Sequence, residues 1–179
     1  MPGYSDLIER ALRSPELLQK LVPTDILDRE LWRIVRDAPD AALAGSAVIA
    51  DGEKFALVRG ALLNALDDLD GGHRIFQDAA GDLGAYWHGV MHRREGDFDN
   101  ARYWFRRAGA LPFFGALHGR VAGHSPDQAK QGNWDPYLFT GQCEQARFGD
   151  EDLLRELRAV QRAEFDVLLD YSWRQSVAP

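Results

Sequence analysis

The sequence predicts an all-α fold, a single-domain helical bundle over residues 1–179, on three observations. Apolar residues recur every three or four positions through most of the chain, several of these stretches open on a capping residue followed by proline, and strand-type alternation is nearly absent. Composition agrees. With 179 residues, 45% hydrophobic and 11% aromatic, the chain can bury one sizeable core and is too short for two.

The elements follow in order. Leu7, Ile8 and Leu12, then Leu17, Leu18 and Leu21, predict two short helices, the second with Ser14 as N-cap and Pro15 at its first position. Thr24 precedes the stripe Ile26, Leu27, Leu31, Ile34, Val35, a third helix that Pro39 stops. Phe55, Val58, Leu62, Leu66 and Leu69 predict a helix from Glu53 to Asp70, closed by Gly71-Gly72. Asp51-Gly52, between Ala47-Val48-Ile49 and Phe55-Ala56-Leu57, reads either as the turn of one short hairpin or as a helix boundary. Ser125-Pro126 and Asp135-Pro136 each predict a helix start, and Gly109 to Gly132 reads as a loop with short helical pieces that covers the hairpin described next. Asp150 to Tyr171, apolar along one side and charged along the other, predicts a long closing helix.

The most informative stretch is Gly84 to Pro112, GAYWHGVMHRREGDFDNARYWFRRAGALP. Ala85, His88, Gly89 and His92 fall on a first helix, Gly96-Asp97-Phe98 on a turn, and Ala101, Phe105 and Ala108 on a second helix. Small residues at 89, 101 and 108 permit two antiparallel helices to approach closely, with Phe105 filling the groove, Gly96 free to take a positive φ, and Asp97 capping the second helix. The pattern over 84–112 resembles a tetratricopeptide-like helix pair. A wider string, with TrpHis at 87 and 88, HisArgArgGluGlyAsp at 92–97, AsnAla at 100 and 101, TyrTrpPhe at 103–105 and TrpAspProTyrLeuPhe at 134–139, is similar to a family of uncharacterised bacterial and fungal proteins with a WHxxxHRREGDxxNAxYWF signature. The likeness covers about half the chain and implies no particular activity.

Two functional readings come from these residues. His88, His92 and Glu95 stand at i, i+4 and i+7 of one helix, so they share a face with the spacing of metal ligands; a further ligand is expected from His73 or Asp67, with Asp97 behind them. The same His pair would also suit a buried polar seam satisfied by Asp, Asn or Tyr groups. Around it, His73, His88, His92, Arg93, Glu95 and Trp134 are the candidate ligand-binding residues, with the Trp134 segment expected above them. The other reading is a helical interaction or scaffold protein, in which Tyr86, Val90 and Arg93 face outward and, with the cluster Arg93, Arg94, Arg102, Arg106 and Arg107, take a protein or peptide partner or a small anionic ligand. The simpler expectation, favoured over a ligand, is that these arginines pair with Glu and Asp of the long C-terminal helix or of neighbouring helices.

Several classes are excluded. The formal charge of −7 opposes nucleic acid. The longest uncharged stretches, Ala41 to Ala50 and Ala108 to Gly119, fall short of the roughly 18 apolar residues of a membrane span. The first 21 residues are charged throughout, which speaks against a secretory signal, and the lone Cys143, expected buried and inert, fits a reducing, cytoplasmic setting. GxGxxG, GxxxxGK[ST] and GxSxG are absent, and Gly89 stands where a zincin glutamate would follow the first histidine. The residues assign no catalytic group, cofactor or oligomeric state.

Overall fold

The computed structural model describes residues 3–146 and 151–179. Its described residues form eleven helices: α1 Asp6–Leu12, α2 Arg29–Asp37, α3 Asp40–Ala44, α4 Gly52–Ala65, α5 Leu69–Phe76, α6 Gly81–Glu95, α7 Phe98–Ala108, α8 Phe114–Val121, α9 Pro126–Ala129, α10 Pro136–Gln145 and α11 Glu151–Ser176. The fold is all-α. Among the described residues the only β pairing is an isolated bridge between Ile49 and Val177, and no helix is long and apolar enough to cross a membrane.

The caps read from the sequence do their work at α9, where Ser125 accepts from Gln128 N, and at α10, where Asp135 accepts from the amides of Tyr137 and Leu138. Asp51-Gly52 is a helix boundary and not a hairpin turn, because the Asp51 carboxylate accepts from Lys54 N and caps α4. The closing helix runs on to Ser176; Asp150, its expected start, lies outside the described residues.

Three boundaries differ from expectation. No helix forms over residues 17–21: the segment is a turn in which Leu18 takes φ +58° and donates its amide to Ala65 O, while Leu17, Leu18 and Leu21 still bury their side chains. The third helix starts not after Thr24 but after Asp28, whose carboxylate accepts from Leu31 N. The helix expected over 53–70 is two helices. α4 ends in a Schellman turn, with Asp67 at φ +70°, Asp67 N bonded to Asn64 O and Asp68 N bonded to Leu63 O. Asp68 then caps α5 by accepting from Gly71 N at 2.8 Å. The glycines expected to end the helix lie inside α5, where α4 and α5 cross closely: a Cβ at Gly72 would stand 3.4 Å from Gly60 O, and one at Gly60 would stand 2.6 Å from the Phe76 ring.

One continuous apolar core unites all of this, and α6 runs through it, buried at every position from Gly84 to Arg94. α7 lies against α6, α5 on its other flank, and α11 supplies Phe165 and Ser172 to Trp87. Contacts pair His92 with Asn100 and Gly89 with Phe105, in opposite chain order, so α6 and α7 are antiparallel as expected. A Cβ at Gly89 would lie 2.7 Å from the Phe105 ring, and Gly96 turns the chain at φ +86°.

Candidate metal centre

Because α6 turns 100° per residue, side chains two apart point to nearly opposite sides. Tyr86 and Arg93 therefore share one face of α6, and His88, His92 and Glu95 share another.

The Tyr86 face is a buried polar network centred on Glu164, in which only Arg93 Nε goes without a partner. Tyr86 donates to Glu164 at 2.8 Å, Arg93 bonds both oxygens of the same carboxylate, and Trp134 Nε1 donates to the Tyr86 oxygen at 2.7 Å. Phe113 and Phe114 pack on Tyr86, and the Arg93 guanidinium lies 4.4 Å from the centre of the Phe139 ring. Burial, reinforced by Glu164, raises the Tyr86 hydroxyl well above its ordinary value. Cys143, buried beside this network, is pushed up to about 12 by burial. Arg94 is held separately, by Asp67 at 2.6 Å and by Asn64 O. Two expectations are corrected here. Tyr86, Val90 and Arg93 do not face outward, since all three are buried; and Trp134 with the 109–132 segment covers the Tyr86 face, not the histidines. Asp67 is spent on Arg94, and Asp97 caps α7 and reaches His92 only as a nearby negative charge.

On the other face three histidines meet. His73, brought in by α5, stands 4.9 Å from His88 and 5.2 Å from His92 between ring centres, and His88 stacks on His92 at 4.7 Å. One nitrogen from each ring can be chosen so that all three lie within 4.8 Å of one another. His88 is 3% and His92 5% exposed, and His73 is half-buried. The far side of the His88 ring system is closed by Trp104, stacked at 4.0 Å. Neither ring nitrogen of His88 has a hydrogen-bond partner. Burial, aided by the neighbouring His92 and His73, lowers its pKa to about 4, so it is neutral and both a donor and an acceptor go unanswered.

His92 is oriented from behind. Its Nδ1 lies 3.0 Å from the Glu95 carboxylate, which fixes the proton there and leaves the Nε2 lone pair. The Asn100 amide nitrogen is nearly equidistant from both ring nitrogens, 3.1 and 3.4 Å, which places it against the ring face and not in line with that lone pair. Burial lowers the His92 pKa and Glu95 partly restores it. Glu95, expected as a ligand, is thus bonded to a ligand candidate, the arrangement in which a carboxylate aligns a metal-bound imidazole.

Of the sequence candidates, the structure brings together His73, His88, His92 and Glu95, and places Arg93 and Trp134 elsewhere. Trp104 and Asn100 were missed. They stand eight and four residues after Gly96, as His88 and His92 stand eight and four before it, so an antiparallel pair folded at Gly96 sets them side by side.

Compared with protein-family models, curated proteins and solved structures, the chain matches none.

Proposed function

We propose that this protein binds a transition-metal dication of zinc's kind at His73, His88 and His92. The observation that carries it is the His88 ring, buried in a three-imidazole cluster with both nitrogens unpartnered. Leaving a buried polar group unpaired costs about 1–3 kcal/mol, and a ligand that answers it removes that cost. Neutral imidazole suits zinc, cobalt, nickel and copper, and burial favours the neutral form of His88 and, against the pull of Glu95, of His92. Zinc–nitrogen bonds of about 2.0–2.1 Å set tetrahedral donors about 3.4 Å apart, so loading requires the rings to close in by about an ångström, within reach of side-chain rotation.

The interaction or scaffold reading draws less support, because Tyr86, Val90, Arg93 and Arg94, on which it relied, are buried, and only Arg102, Arg106 and Arg107 of its residues reach the surface. The test is titration of the metal-free chain with Co(II) and Zn(II), followed by calorimetry and the visible Co(II) spectrum. One ion per chain, weakened about 100-fold or more by His88→Ala, is expected. Absence of uptake, or equal uptake by a His73→Ala/His88→Ala/His92→Ala variant, removes the reading.

A further inference from the structure

Resting on that reading, we infer that the acidic groove bordered by Glu95 is the port through which the metal dication reaches the three histidines. The groove, about 370 Å³, is lined by Asp25 and Arg29 on one side and by Asp67, Asp68, Asp70 and Glu95 on the other. Two of its residues tie it to the cluster. Glu95 places its carboxylate 3.0 Å from His92 Nδ1, and Asp70 stands one helical turn before His73 on α5. On the α7 side the cluster is shut by Trp104, stacked on His88 at 4.0 Å. Solvent meets it instead at the half-buried His73 and at Glu95, whose side chain is 47% exposed.

Aspartates alone would give the groove no destination. The destination is the His88 ring, 3% exposed, with neither nitrogen partnered and with His92 stacked between it and the Glu95 carboxylate's reach. Charge supplies the direction. Asp67 is answered by Arg94, and Arg29 is the one cation on the wall among the described residues, so the remaining carboxylates leave the groove negative. A cleft lined by one sign of charge concentrates counter-ions and raises their association rate. Donor chemistry supplies the sorting, because carboxylates suit hard cations such as magnesium and calcium whereas imidazoles suit zinc, nickel and copper. The groove thus gathers dications without selecting among them, and the histidines behind Glu95 keep those that prefer nitrogen.

The experiment is stopped-flow uptake of limiting Co(II) by the metal-free full chain. It compares wild type, Asp25→Asn/Asp70→Asn and the control Asp127→Asn/Asp152→Asn. Each pair removes two exposed charges, but only the first lies in the groove, and none of the four residues belongs to the histidine cluster. In about 0.1 M salt, charges act over about 10 Å, so only carboxylates close to the ion's path matter; in about 1 M salt that range shrinks to about 3 Å. In the lower salt the groove variant should take up Co(II) roughly threefold or more slowly than wild type and the control at the wild-type rate, and the gap should close in the higher salt. Dissociation should be equally slow in all three chains, since the nitrogen donors are untouched. Wild-type uptake by the groove variant, or equal slowing by both variants, overturns the port while leaving the metal site standing. A wild-type chain that takes up no Co(II) at all overturns the metal reading itself, and the port with it.

Discussion

On one side of α6, Arg93 and Arg94 are wholly buried and held by Glu164, Asp67 and Asn64; on another, His88 and His92 are buried less deeply and His88 is held by nothing. Both sets of groups lie on the same buried helix, within a few residues of each other. Each arginine leaves its Nε unpartnered but has its charge answered by a carboxylate, whereas His88 has no partner at either nitrogen. A buried charge persists only with its partner, so the arginines are structural members whose replacement is felt in stability. The neutral imidazoles tolerate isolation at modest cost and remain available, which is the condition for a ligand site.

The largest expected effect breaks the arginine side. Glu164→Leu leaves Arg93 as an unpaired buried cation and should cost about 3–5 kcal/mol in urea unfolding; a loss below about 1 kcal/mol would show that Arg93 escapes to water. Next is the crossing that holds both faces in place. Gly89→Leu drives a side chain into Phe105 and should cost about 2 kcal/mol or more, and wild-type-like melting would mean α6 and α7 are not so closely packed.

Cys143 probes the arginine side by pH. Its folded pKa, about 12, lies above the ordinary value of 9.0, so above pH 9 the folded chain holds a proton that the unfolded chain has lost, and stability falls as pH rises from 9 towards 12. At pH 10 the loss is on the order of 1 kcal/mol. Comparing the pH dependence of Cys143→Ala with wild type isolates it, and identical alkaline limbs would show that the thiol is not desolvated. The smallest effect belongs to the histidine side. In the metal-free chain, His88→Leu should be neutral or stabilising by up to about 1 kcal/mol, because it removes two unanswered polar atoms. It should also abolish metal uptake, and a large destabilisation would place His88 with the arginines as a structural group.

Two helix ends show how much of this was legible. α6 ends in a Schellman turn with Gly96 at φ +86° and Asp97 N bonded to His92 O, and the glycine announced it. α4 ends in the same turn with Asp67 in the glycine's place at φ +70°, and nothing local announced that. What accompanies it is remote: Arg94 Nη2 bonds the Asp67 carboxylate from α6. Missing this break moved Gly71-Gly72 from inside a helix to its end.

By itself the sequence determined the all-α class, the caps at Asp97, Ser125 and Asp135, the α6–α7 pair, and the placing of His88, His92 and Glu95 on one helical face. All of these depend on spacings of a few residues, fixed by the helical period and by side chains that bond their own backbone. Tertiary structure alone decided that α5 turns away from α4 and carries His73 to the other two rings, that Trp104 seals His88, that Glu95 bonds His92, and that Tyr86 and Arg93 turn inward. These depend on which faces of α6 meet which neighbours, a choice made by the packing of the whole core and by partners such as Glu164 and Asp67, far away along the chain.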